Sequence, residues 1–390
     1  MRVDRDRAEG AEEALLLACA RTMVDPAAAD AVPEAVARVA DWDGWMALAG
    51  RNRLLPVVTR TLHGMEGVPA EVRDRLRAAS ERNAGEALRL SAELRRLLSA
   101  LEAEGVRAVA YKGPALAVRA YGDPGLRTYS DLDLLVSPAQ VDAALAVLRV
   151  AGYESSYAFT PAQNRRFRAV DGDYPLHHPV TGALVEVHAQ VSSARFRVRL
   201  PTDVLMRRAQ PVAVGGGTVR ALADDDLFLA LCVHGAKHRW ARLEWLVSAA
   251  ALAARTGLDL SKVSERAWRI GAGRTVLLAL HLASTALALS IPATVAHAAA
   301  ADADVPALAD EARSLWFTRA ANDSSVAKNL RFNLRLRDTR ADRLRFAAHW
   351  LFTPTPEDWG WLRLPDALAP LYRAVRPLRL ALRYAPGRRG

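Results

Sequence analysis

Asp131 and Asp133 stand two residues apart in an otherwise apolar run, Asp131-Leu-Asp-Leu-Leu-Val136. On a strand, residues i and i+2 point to the same face, with Cα atoms about 6.6 Å apart. That spacing lets carboxylate oxygens grip one or two divalent cations. Without a cation the pair is costly, since like charges about 4 Å apart repel by roughly 4 kcal/mol at an effective dielectric near 20. A strand this apolar does not need them to fold. The competing account is an edge strand whose carboxylates block aggregation. A third carboxylate comes later, in Val185-Glu-Val-His188, where Glu186 and His188 share a face. Three acids are what a two-metal site needs, one ion activating a hydroxyl and the other neutralising charge on the group displaced. Mg²⁺ suits such a set, because it takes carboxylate oxygens together with substrate phosphates.

Phosphate-binding groups are placed close by. Lys112-Gly113-Pro114 reads as a strand-to-helix turn, where a glycine lets backbone N–H groups approach an anion and the helix N-terminus favours it. Lys112 adds a mobile point charge. Arg127, just before the Asp-x-Asp strand, offers a fork-shaped donor for a phosphate. Read alone, the turn is equally a plain strand–helix connection. His234, Lys237 and His238 fall at i, i+3 and i+4, one face of a helix, and could receive a nucleotide's phosphates or base. The alternative is a solvated helix end. Zinc held by His177, His178, Glu186 and His188 would need the hairpin to pair in register, yet adjacent histidines on a strand face opposite ways.

These residues need elements to hold them. Apolar residues at three-and-four spacing predict helices over 11–21, 33–49 and 69–104, the last stopped by Gly105. The period then changes. A β-rich run at 106–111 precedes a helix from Gly113 to about Tyr121, the Asp-x-Asp strand, a helix over 139–151, and a hairpin of 174–178 with 184–190. From Asp224, with Asp224 and Asp225 as caps, helices return to about Arg345. The expectation is an α+β chain: an N-terminal helical region over 1–104, a small mixed-sheet core over 105–220 and a C-terminal helical domain over 221–390.

The 390 residues are 51% hydrophobic and 25% charged, which excludes a disordered or fibrous chain. The net charge is +10, but only four of the 53 cations are lysines, Lys112, Lys237, Lys262 and Lys328. So arginine-rich a balance says little about nucleic acid. Cys19 and Cys232 are the only cysteines, too few for a disulfide framework, and the expectation is a reducing cytoplasm. Residues 275–301 carry no acid, lysine or arginine, long enough for a membrane span. Pro292, His281 and several hydroxyls favour a buried core helix, so no membrane is expected. Trp240, Trp245, Trp350, Trp359 and Trp361 read as core or domain contacts. Arg376, Arg379, Arg383, Arg388 and Arg389 read as a solvated basic face, the alternative being attraction to phosphate.

The order of these pieces resembles the polymerase-β-like nucleotidyltransferase superfamily. More narrowly, Tyr111-Lys-Gly113, Pro124-Gly-Leu-Arg127, Ser130-Asp-Leu-Asp-Leu-Leu-Val136, Val185-Glu-Val-His188, Val233-His-Gly-Ala-Lys-His-Arg-Trp-Ala-Arg-Leu243 and the tail segments Phe352-Thr-Pro-Thr-Pro-Glu-Asp-Trp359 and Tyr372-Arg-Ala-Val-Arg-Pro377 resemble an uncharacterised bacterial nucleotidyltransferase family, over roughly 85–390. The resemblance implies that Asp131 and Asp133 hold the metals and Glu186 is the third acid or the base. It implies an ATP-like nucleoside triphosphate as substrate, held by Lys112, Gly113, Arg127, His234, Lys237 and His238, and a small-molecule, peptide or protein acceptor. Two departures stand out. Lys112-Gly113 replaces the superfamily's Gly-Ser, and Ser248 stands where the family pattern has an aspartate after the tryptophan. The second motivates an alternative, a catalytically degenerate binding protein. A basic nucleic-acid binder ranks last, as no recognition motif is present.

Overall fold

The computed structural model describes residues 10–318 and 326–384. Seven strands, β1 Ala108–Ala110, β2 Asp131–Val136, β3 Glu154–Ser155, β4 Asp173–His177, β5 Leu184–His188, β6 Gln210–Val214 and β7 Gly217–Ala221, form one mixed sheet. Its order is β3-β4-β5-β2-β1-β7-β6. β2 runs parallel to β5 and antiparallel to β1, while β4–β5 and β6–β7 are antiparallel hairpins. Helices precede and follow the sheet, which makes the fold α+β.

β2 lies at the centre of the order, and Leu132, Leu134, Leu135 and Val136 have no exposed surface. A strand covered on both faces reads as a continuous apolar run. The two aspartates at its start therefore do not guard an edge. The Ala70–Ala103 helix forms in one piece and lays Leu90, Leu94, Leu97 and Leu101 into the core beneath the sheet. A second core joins Leu15, Leu16 and Leu17 of the first helix to Leu277, Leu278 and Leu280 far along the chain.

Local chemistry moved several boundaries. The helix expected over 33–49 is two, Val32–Ala37 and Trp42–Arg51, because the Asp41 side chain accepts from Gly44 N–H and starts a new helix. The Leu55–Thr61 helix was not anticipated. The uncharged stretch 275–301 divides into Gly273–Leu287 and Ala293–Ala301, interrupted at Ala288, which sits at φ 57°, and at Pro292. Among the described residues no helix is long and apolar enough to cross a membrane. Asp224 and Asp225 are not caps. They lie in the first turn of Asp224–Lys237 behind the N-cap Ala223, where the helix dipole favours them, and they bind Arg119, Arg208 and Arg266.

Two surface readings also change. Trp240 and Trp359 are buried, but Trp361 is 49% exposed and belongs to no core. Arg376 and Arg379 are not a solvated face. Both are buried on Asp358, Arg376 Nη1 donating to Oδ2 at 3.0 Å and Arg379 Nε to Oδ1 at 2.5 Å. Arg383 lies on the last described helix, Tyr372–Tyr384, and Arg388 and Arg389 lie outside the described residues.

Candidate active site

Strand register brings the acids together. Asp133 pairs with Glu186 across the parallel β2–β5 ladder, and Leu135 pairs with His188. His188 in turn pairs with Asp173 on β4. Residues opposite each other share a face, and so do residues two apart. Asp131, Asp133, Glu186, His188 and Asp173 thus project from one face of three neighbouring strands. Asp173 escaped the sequence reading, which began the hairpin at Tyr174. Only the hairpin register exposes its position beside His188.

Asp133 is the hub. Its carboxylate is 3% exposed, accepts from Lys112 Nζ at 2.9 Å, and lies 3.0 Å from His188 Nε2. His188 Nε2 also lies 3.2 Å from Glu186 Oε2. Burial opposes ionisation of Asp133, but Lys112 and the His188 hydrogen bond outweigh it and hold the group well below the usual carboxylate range. The hydrogen bond from His188 likewise lowers Glu186. Asp131 goes the other way, raised by burial and by the carboxylates of Asp133 and Glu186. Asp173 is raised too, chiefly by burial.

This donor set fits a divalent cation. Ligand atoms of Asp133, Glu186 and His188 all lie within 4.8 Å of one another. The strain that like charge places on Asp131 is what a dication relieves. Lys112 is the resident cation on Asp133, set there by the turn that follows β1. Lys112 is the N-cap of the Gly113–Tyr121 helix. Gly113 sits at φ 56°, where a Cβ would come within 3.4 Å of the Asp131 carbonyl oxygen. Glycine is therefore the residue that closes this turn against β2 without backbone strain.

The acidic face opens into a cavity of about 530 Å³, within the range of small-molecule sites. Lys112, Asp131, Asp173, Glu186 and His188 form one wall, and His234, Lys237 and His238 another. His234 and His238 lie near each other and against Trp245 in tilted and edge-on contacts, with ring centroids 4.9–5.4 Å apart. Burial, with Lys112 nearby, pushes His234 well below its ordinary value, and burial with Lys237 pushes His238 down to about 4. Both imidazoles are neutral at pH 7, so the positive charge on that wall is Lys237. A family model described as "uncharacterised nucleotidyltransferase" matches residues 38–288. The chain belongs to that family. No curated protein and no solved structure matches it.

The match begins well before residue 85 and ends after the Gly273–Leu287 helix, so residues 289–390 of this nucleotidyltransferase lie outside it. Within the enzyme, Arg127 does not line the cavity. It is buried, and its Nε donates to Glu244 Oε1 at 2.6 Å. Ser248 Oγ reaches the same Glu244 oxygen at 2.8 Å and Tyr121 Oη at 2.9 Å. The serine at the departure from the family pattern thus completes a buried network behind the site. His177 and His178 do not join His188. His177 pairs with Leu184 at the opposite end of the hairpin, and His178 Nδ1 accepts from Val180 N–H in the turn. The register keeps His177 and His178 away from Glu186 and His188, so the four would-be zinc ligands do not converge.

Proposed function

We propose that this nucleotidyltransferase moves a nucleoside monophosphate from a nucleoside triphosphate to a hydroxyl or phosphate acceptor and releases pyrophosphate. The observation that carries the reading is the convergence of Asp131, Asp133 and Glu186 on one face of two parallel strands, beside Lys112 and above the cavity. Asp131, Asp133 and Glu186 hold Mg²⁺, with Asp173 and His188 beside them. The bound metal supplies neutralisation of charge on the phosphates. Lys112 moves from Asp133 to the triphosphate, Gly113 presents the helix N-terminus, and Lys237 adds a second cation across the cavity. His234 and His238, being neutral, donate or accept hydrogen bonds. Glu186 takes the acceptor's proton. Arg127 supports this wall from behind through Glu244. We further propose that 105–220 carries the chemistry while 1–104 and 221–390 frame it.

Calorimetry with ATP, GTP, CTP and UTP tests the reading. Binding of at least one triphosphate is expected only with Mg²⁺, and loss of it in the Asp131→Ala/Asp133→Ala variant. Asp133→Asn is expected to stay folded and lose pyrophosphate release by at least about 10³-fold. Retained release in that variant would sink the assignment. One observation favours a second reading. Lys112 and His188 already neutralise Asp133, which suits a scaffold that binds nucleotide without turnover. Mg²⁺-dependent binding with no pyrophosphate release from any acceptor would select it.

A further inference from the structure

The cavity has a wall that the acidic sheet does not provide. Across from the strands it is lined by Asn329, Leu330 and Asn333 of the Val326–Arg335 helix and by Phe346 and Trp350 of the Arg340–Phe352 helix. All five lie beyond residue 288, where the family match ends. Chemistry within the match and contacts outside it are what separate a shared reaction from an individual acceptor.

We infer that this wall is the acceptor subsite and that the acceptor is an uncharged hydroxyl compound with an aromatic or apolar body. The inference rests on the nucleotidyl-transfer reading above. Its first support is charge. Among the described residues the one arginine lining the cavity, Arg195, is fully engaged: with Asp171 at 3.0 Å, the Thr353 carbonyl at 2.9 Å and the Pro354 carbonyl at 3.0 Å. The lysines that line the cavity, Lys112 and Lys237, belong to the opposite walls. A phosphorylated acceptor or a nucleic-acid end would meet carboxylates on one side and, among the described residues, no unengaged cation lining the other.

The second support is shape held in advance. Arg337 lies against two touching rings, 5.2 Å from that of Phe346 and 5.9 Å from that of Phe196. Arg376 lies 5.5 Å from the Trp350 ring, donates from Nε to the Trp350 carbonyl at 2.8 Å, and is itself fixed to Asp358. Aromatic groups locked from behind lose little entropy when a flat ligand docks on them. The third is a polar handle. Asn333 is 3% exposed, and its Oδ1 has no hydrogen-bond partner among the described residues. A buried acceptor left unmade is costly, and a hydroxyl-bearing ligand brings a donor to that wall. In the reaction, the acceptor hydroxyl oxygen forms a bond to the α-phosphorus and the bond from that phosphorus to the bridging oxygen breaks. Pyrophosphate leaves with the electron pair, and the hydroxyl proton passes to Glu186.

The probes are 4-(2-hydroxyethyl)phenol, a neutral aromatic alcohol, and glycerol 3-phosphate, a charged one. Each is titrated calorimetrically into the full chain, with and without Mg²⁺ and an α,β-methylene nucleoside triphosphate. The aromatic alcohol is expected to bind, and glycerol 3-phosphate to bind at least tenfold more weakly. Trp350→Ala and Leu330→Ala should each weaken the alcohol about tenfold while triphosphate affinity stays within twofold. Leu330 is only partly buried, so it guards against loss of folding in the tryptophan variant. The inference falls if glycerol 3-phosphate binds as tightly as the alcohol. It falls equally if the alcohol fails to bind in either condition, or if the variants weaken the triphosphate instead, which would make the wall a nucleobase platform. Alcohol binding without any triphosphate binding would leave the wall standing and overturn the transfer reading.

Discussion

At the scale of single residues, the site depends on groups whose environment is set by a few neighbours. Gly113 is one, because its positive φ strains any L side chain placed there. Gly113→Ala should cost about 1–2 kcal/mol, the penalty of a left-handed L-residue, and displace Lys112. Urea unfolding with KM for the triphosphate checks both. Arg127 separates two roles. Its partner Glu244 is 1% exposed, so Arg127→Ala strands a buried carboxylate and should destabilise by about 3–5 kcal/mol. A residue that only clamped phosphate would raise KM and leave the unfolding midpoint in place.

At the scale of elements, the C-terminal helices are tied by charge inside the protein. Asp358 is fully buried between Arg376 and Arg379; against the effect of burial, the Thr355 backbone N–H and then the two arginines hold it below the usual carboxylate range. Asp358→Asn leaves two buried guanidinium groups undercompensated and should cost about 3–5 kcal/mol. Because Arg376 backs Trp350, the same change should loosen the cavity wall, seen as faster amide exchange over 340–352. With its folded pKa depressed, Asp358 contributes stability above the unfolded carboxylate value, and that contribution is lost only as pH falls through the lower folded value.

At the scale of the whole molecule, pH acts through the buried imidazoles. His238 titrates at about 4 when folded and near 6.5 when unfolded, and His234 is shifted the same way. Between those values the unfolded chain binds protons the folded chain refuses. Stability is therefore complete above about pH 6.5 and declines towards pH 4. His188, raised by Asp133 and Glu186, works in the opposite direction. Urea midpoints at pH 7.5, 6 and 5 should fall steadily in the wild type and less steeply in a His234→Gln/His238→Gln variant. An equal slope in both would reject this origin. The shared core sets cooperativity as well. Leu16 has no exposed surface in a cluster that also takes Leu278, so Leu16→Ala should cost about 2–5 kcal/mol and lower a single unfolding transition rather than create a second one.

Much of this was legible in one dimension. The Asp-x-Asp strand, the Lys-Gly turn, the long Ala70–Ala103 helix and the hairpin are local patterns, carried by side-chain period and by glycine's conformational freedom. Those signals survive without knowledge of neighbours. What the sequence could not decide depends on pairing. Asp173 joins the acidic face only through its register opposite His188. Arg127 reads as a phosphate ligand until Glu244, distant in the chain, is found against it. Arg376 and Arg379 read as a basic surface until Asp358 removes them from water. An isolated charge gives no hint in sequence of which partner will neutralise it, because Coulombic pairing acts across space. The residue types of the chemistry belonged to the sequence, and their partners to the tertiary structure.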